Sequence, residues 1–378
     1  MSEALRYPSF YLALPILLAL SVMTVSFEFS LVMLGGVLFF ATVAVGIVVL
    51  DFMLDIRLPP LRSFQGMDFT GTPQGVVAAA LCWLVAGFCV IDLTAFPIPL
   101  IVDPSSYATF ENGRNHVRHI SNLSWVLPPL ALLCFRGGAV RIALLAIGLI
   151  FPILVIDRNR LFAAIFSLVL TFVLLQKKLT LLSWKIIVPL LFGGLAAFSL
   201  LGAVRSGTLS NLNLPLSGLF EISPEGVKWL LLYVSAGVYN FSSILAKNYH
   251  NANFLLSQLI PFSGSVETLG TDIPLDAPTI NVGTEFFPFL MAAGWSGALF
   301  SVFLLYCMLL WSIVLLRGNV SVWRFLIFLR IAYVSVMSPF APQAFTWTNF
   351  GFVALCLMIP VAGHFFPGGM REGLKEAD

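Results

Sequence analysis

Apolar runs of about 20 residues recur along this chain, and each is long enough to cross a bilayer's hydrocarbon core once as a helix. They fall at 9–27, 29–50, 76–99, 123–135, 139–156, 161–176, 182–203, 286–316, 325–340 and 349–366. The fourth is short. Only 10% of the residues are charged and 59% are hydrophobic, against about 25% charged in an ordinary soluble domain. Helices with so little charge cannot each present a wet face, so lipid or other helices must solvate them. The expectation is an all-α, polytopic membrane protein of about ten transmembrane helices, forming one integral membrane domain over 1–378. The first run has no clear cleavage site behind it and is read as a retained span.

The one large hydrophilic insertion is 204–285, rich in Gly, Pro, Ser and Asn. Within it, 227–246 (VKWLLLYVSAGVYNFSSILA) is apolar enough for a helix but carries Tyr233, Tyr239, Asn240 and several serines. That mixture predicts an interfacial or re-entrant helix. A net charge of +2 gives no bulk field for nucleic acid. The cysteines, Cys82, Cys89, Cys134, Cys307 and Cys356, lie in apolar runs without CxxC spacing, so they read as packing residues.

With the N-terminus placed in the cytoplasm, basic residues accumulate on the cytoplasmic side. They are Arg6; Arg57 and Arg62; Arg136 and Arg141; Lys177, Lys178 and Lys185; Arg317 and Arg324; and Arg371 and Lys375. This obeys the positive-inside rule and puts both termini in the cytoplasm. The other face is then the unusual one. It holds Arg114 and Arg118, Arg158 and Arg160, and Arg205, all near span ends. A guanidinium fork matches phosphate oxygens, so five arginines at one face suggest an anionic headgroup such as a diphosphate. Pairing with local acids (Asp157 beside Arg158, Glu111 before Arg114) and binding of ordinary lipid phosphate are the competing readings. Arg330 lies inside the ninth span, where a charge is costly; it either snorkels or lines a cavity. Asp92 is a candidate partner for an outer arginine.

No GxxxxGK[ST], HExxH or GxSxG pattern is present in a fitting context. The expected reaction therefore uses no cofactor, nucleotide or divalent metal, and an energised donor must drive it. A glycosyl diphospho-lipid is such a donor. Arginines would stabilise the departing diphosphate, and a base would take a proton from the acceptor hydroxyl. The candidate bases are His250, Glu285, His116 and His119; the last two could equally donate hydrogen bonds to phosphate. Tyr239 and the other outer aromatics are either interface anchors or platforms for sugar rings.

These features resemble the Wzy-type O-antigen and oligosaccharide repeat-unit polymerases. The resemblance lies in the layout and in IDRNRLFAAIFSLVLTF, GAVRSG, WLLLYVSAGVYNFSSIL and NVGTEFFPFLMAAGWSGALF, with Gly294 and Gly297 in the last. It implies a GT-C-like architecture with a large late periplasmic loop. It implies a glycosyltransferase of the bacterial inner membrane with a periplasmic active site, serving lipopolysaccharide or other surface polysaccharide biosynthesis. The substrates would be undecaprenyl-diphosphate-linked oligosaccharides, and a Wzz-type chain-length regulator would be a partner. By position Arg158, Arg160 and Arg205 match the family's periplasmic arginines best, Arg114 and Arg118 less closely. An O-antigen ligase, transferring to lipid A-core, shares the layout. A transporter or flippase is the alternative in which no bond is made.

Overall fold

The structure, a computed structural model, describes residues 3–102, 115–176, 181–206, 209, 212, 214–260, 272–278, 280–318 and 320–365. Among them the regular structure is helical, with no β-strand. The principal helices are α1 (Pro8–Ser26), α2 (Leu31–Leu54), α3 (Pro73–Ala95), α4 (Leu127–Cys134), α5 (Gly138–Leu154) and α6 (Arg158–Leu175), followed by α7 (Leu181–Ser206), α8 (Glu225–Lys247), α9 (Phe287–Gly318), α10 (Val322–Met337) and α11 (Trp347–Phe365).

Among the described residues six helices are long and apolar enough to cross a membrane: Pro8–Ser26, Leu31–Leu54, Pro73–Val102, Arg158–Leu175, Glu225–Lys247 and Phe287–Gly318. Gly138–Leu154, Ile187–Ala197 and Trp347–Val361 are shorter apolar helices. Large apolar side chains point outward, Leu31 at 86% exposure and Phe52 at 89% among them. Such faces are unfavourable in water by about 25 cal/mol per Å² and are stable against hydrocarbon. The chain is thus a membrane-embedded, multi-pass helical protein. The expected fourth span departs most from a single rod: a 3₁₀ turn, Asn122–Val126, runs into the eight-residue α4. Pro128 and Pro129 suit only a first helical turn, because proline lacks the amide hydrogen that deeper positions require.

The chain divides into two compact units, and the division passes through α10 and α11. The first comprises 1–59, 208–318 and 330–354; the second comprises 60–207, 319–329 and 355–378.

In the first unit α1 and α2 form a hairpin against which α8 packs. Phe39 and Phe40 of α2 enclose Phe241 of α8, with centroids 4.8 and 5.0 Å away. Gly36 permits the approach, since a Cβ there would collide with the Ser242 hydroxyl. Several polar residues of 227–246 have protein partners. Asn240 Nδ2 donates to the carbonyls of Ile280 (3.0 Å) and Val282 (2.8 Å). Ser235, Ser242 and Ser243 are buried. Asp51, also buried, accepts from the Ser9 amide at the start of α1 (2.6 Å) and from the Tyr306 hydroxyl of α9 (2.8 Å). It thereby satisfies an amide that has no intrahelical partner and ties three helices together. At the same end Arg6 donates to the Leu58 carbonyl (3.1 Å), Arg57 lies over Tyr7 and Arg317 donates to the Arg57 carbonyl (3.0 Å). Three residues expected on one side of the membrane thus share one end of this unit. Helix α9 kinks at Ala293–Gly294, where Gly294 has φ +62°, a conformation that glycine adopts without steric cost.

In the second unit α6 is the central element. Ile156, Leu161 and Ile165 pack with Leu149 and Ile153 of α5 and Leu190 and Ala197 of α7. The Ser167 hydroxyl donates to the Trp125 carbonyl (3.2 Å).

Candidate functional site

The sequence IDRNR turns the chain from α5 into α6. Ile156 has φ +54°, a left-handed conformation that a β-branched side chain adopts only under strain. The turn is fixed by the Asp157 amide, which donates to the Pro152 carbonyl (2.8 Å). Asp157 then caps α6 by accepting from the Arg160 amide (3.0 Å). Its other oxygen pairs with Arg160 Nη2 at 2.9 Å.

Arg160 is only 6% exposed. Besides Asp157, its guanidinium donates to the Ser121 carbonyl (3.4 Å) and to the Asn122 side-chain oxygen, and it lies 5.4 Å from the centre of the Phe151 ring. The Ser121 hydroxyl donates in turn to Asp92 Oδ2 (2.9 Å). A polar chain therefore runs Asp92, Ser121, Arg160, Asp157, joining α3, the 115–126 segment and α6. Asp92 reaches the arginine through Ser121. Asp157 precedes Arg158 in sequence and pairs with Arg160, one helical turn on.

Burial works against a charge on Asp157, but the Arg160 guanidinium, the Arg160 amide and the charge of Arg118 together hold its carboxyl below the usual range. It is therefore ionised at neutral pH. Arg118 belongs to the short helix Asn115–Ser121 and, like Arg158, is half-buried; His119 beside it is exposed. Two guanidiniums, Arg160 by direct pairing and Arg118 through its charge, thus act on one carboxylate, and Arg158 lies beside them in the first turn of α6. Two arginines in the first turn of a helix oppose its dipole, an arrangement that suits the binding of an external anion.

The remaining candidates divide as follows. Arg205 lies in the last turn of α7 and His116 in the Asn115–Ser121 helix; only their backbones are described. Arg114 lies outside the described residues. Tyr239, Glu285 and His250 belong to the first unit. Tyr239 is 6% exposed, stacks on Phe27 at 4.6 Å and donates to Asp276 Oδ2 (3.0 Å). A sugar ring has no open face on it in this arrangement. Asp276 also accepts from Ser243 Oγ and Lys247 Nζ, each at 2.7 Å. Burial favours its neutral form, and those three donors with the Lys247 charge outweigh it, so the carboxyl sits below its usual range.

No family model, curated protein or solved structure matches this chain. The chemical reading therefore rests on the side chains themselves.

Glu285 is 1% exposed, and its carboxylate is taken up by the backbone amides of 343–345. His250 is exposed, between the left-handed cap Asn248 and the helix Asn253–Leu259. Its ring faces the side of Gly294 that a Cβ would occupy, at 4.0 Å. Arg330 is partnered by protein: its Nε donates to Asn349 Oδ1 (2.9 Å). The holders of Arg160, Ser121 and Asn122, were not singled out from sequence. The signal was an Asn four residues after Arg118, which becomes meaningful only once α6 folds against it.

Proposed function

We propose that this protein is a glycosyltransferase that polymerises undecaprenyl-diphosphate-linked oligosaccharide units at the periplasmic face of a bacterial inner membrane. The supporting observation is the pairing of Arg160 with Asp157 at a strained helix N-terminus, where the charge of Arg118 acts on the same carboxylate and Arg158 occupies the same first turn. Arg160 is held inside the protein and positions the turn. Arg118 and Arg158 are the residues assigned to the diphosphate oxygens. Guanidinium charge there stabilises the negative charge that builds on the leaving diphosphate.

In this reading the acceptor hydroxyl oxygen bonds to the anomeric carbon of the donor chain. The bond from that carbon to the diphosphate oxygen breaks, and its electron pair leaves with undecaprenyl diphosphate. The hydroxyl proton passes to a base. A Wzz-type regulator of chain length fits as a partner.

The test is purified protein in lipid nanodiscs with one synthetic lipid-linked repeat unit. A ladder of products with release of undecaprenyl diphosphate is expected, and Arg158→Ala should abolish it. Transfer only to added lipid A-core would identify a ligase instead. Movement of intact substrate across a bilayer, with no new glycosidic bond, would identify a transporter. Either outcome overturns the polymerase assignment.

A further inference from the structure

The connection between α10 and α11, residues 338–346, reads SPFAPQAFT and contains no ionisable side chain. Its conformation is set by Glu285. The Glu285 amide donates to the Ser338 carbonyl (2.7 Å). Glu285 Oε2 accepts from the amides of Gln343 (2.5 Å) and Ala344 (2.7 Å), and Oε1 from that of Phe345 (3.1 Å). One residue thus grips both ends of the segment. Asn349 completes the circuit: its Nδ2 donates to the Ala344 carbonyl (2.8 Å), and its Oδ1 accepts from Arg330 Nε (2.9 Å). On residues adjoining or bonded to Glu285, the hydroxyls of Thr284 and Ser338 and the Gln343 side-chain nitrogen are buried without a hydrogen-bond partner. Burying an ionisable group inside such a bundle is costly, which makes the position a functional-site candidate.

We propose that Glu285 is a proton-binding site, with Arg330 as its charge partner, and that proton occupancy determines how firmly segment 338–346 is held. This site needs no glycan and stands whether or not the transferase reading does.

The groups that face Glu285 are few. From α10 come Arg330 and, under its guanidinium at 5.8 Å, Tyr333. The segment itself, residues 347–354 of α11 and residues 287–294 of α9 carry no ionisable group. Helix α8 approaches at Gly237, where a Cβ would lie 2.5 Å from the Pro339 carbonyl oxygen and 3.3 Å from Thr284 Cγ2. Its nearest ionisable residues in sequence are Tyr233 and Tyr239, and Tyr239 is committed to Asp276.

Burial pushes the Glu285 carboxyl up to about 7, against the pull of the Ala344, Gln343 and Phe345 amides and the Arg330 charge. A released segment would return the carboxyl to water and to its ordinary, lower range. The held state therefore binds the proton more tightly, so acid favours holding. Raising the pH through about 7 weakens the grip, by linkage.

The test uses the full chain in nanodiscs, titrated from about pH 5 to about pH 9, a range that brackets the raised carboxyl. Infrared spectroscopy should show a protonated-carboxyl band disappearing near neutrality, absent in Glu285→Gln. Maleimide labelling of Ala341→Cys, normalised at each pH to the denatured protein, should rise several-fold over the same range and stay flat when Glu285→Gln is added. Arg330→Gln should move the infrared midpoint upward, which keeps the idea testable if Glu285→Gln does not fold. A labelling step that survives Glu285→Gln, a band that persists in that variant, or a midpoint unmoved by Arg330→Gln would overturn the assignment.

Discussion

Arg160 Nη2 stands 2.9 Å from Asp157 Oδ2, and the same Asp157 accepts the Arg160 main-chain amide, so one carboxylate holds this arginine at two points. The pair starts α6 and fixes the direction in which the chain leaves the strained Ile156.

Loss of one partner in a buried ion pair leaves the other charge uncompensated. Arg160→Ala should therefore destabilise the protein by about 3 kcal/mol, read as a lower midpoint of thermal unfolding in detergent. Arg160→Lys should recover only part, because an ammonium cannot serve Asp157, Asn122 and the Ser121 carbonyl in the planar geometry of a guanidinium. An unchanged midpoint in Arg160→Ala would remove its positioning role.

Arg158 and Arg118 should behave differently. Under the proposed function, Arg158→Ala and Arg118→Ala each abolish polymer while protein level and unfolding midpoint stay near wild type. Arg→Lys at either site should restore little activity, since the bidentate fork is lost. Arg205→Ala is expected to abolish polymer as well. Immunoblotting alongside a gel of the glycan ladder separates loss of catalysis from loss of protein. Full ladders in all three alanine variants would exclude these arginines from the site.

The pH dependence of the second unit follows from Asp157. Its folded carboxyl lies below the ordinary range, so its contribution to stability is fully present above about pH 4, the unfolded value. That contribution is lost as the pH falls through the folded value. Asp157→Asn should lower the unfolding midpoint at neutral pH and flatten its decline in acid. A variant that declines in acid as steeply as wild type would show that another carboxylate controls this limb.

Much of the helical architecture was legible in the sequence because hydrocarbon imposes a length rule on apolar runs. The rule is blind to interruptions. It gave no sign that 122–134 would divide into a 3₁₀ turn and a short helix, or that Ala293–Gly294 would kink α9. The site was legible in part. Arginine beside a span end is a visible anomaly, and it drew attention to Arg158, Arg160 and Arg118. Which of them faces inward depended on Ser121 and Asn122, distant in sequence from Arg160 and unremarkable as residue types. The partners of the serines and of Asn240 in α8 were not legible for a similar reason. A polar side chain in an apolar helix looks the same in sequence whether water or a carbonyl such as that of Val282 receives its hydrogen bond.

Two glycines of α2 offer a last test, because the same substitution should have opposite effects at each. At Gly36 a Cβ would collide with Ser242 Oγ and lie 2.9 Å from Ser242 Cβ. Ser242 is fully buried, and its hydroxyl donates to the Val238 carbonyl (2.8 Å). Gly36→Ala must therefore push α8 away from α2, at a cost of about 1–3 kcal/mol. Adding Ser242→Ala should restore only part of this, because the Cβ contact remains, whereas Ser242→Gly should restore more. At Gly46 a Cβ meets nothing within 4 Å. Gly46→Ala should be neutral or stabilising by up to about 1 kcal/mol, through the lower entropy of the unfolded chain. Thermal unfolding of the single and double variants in one detergent would compare them. Equal shifts for Gly36→Ala and Gly46→Ala would mean that close approach of α2 and α8 does not set the stability of this unit.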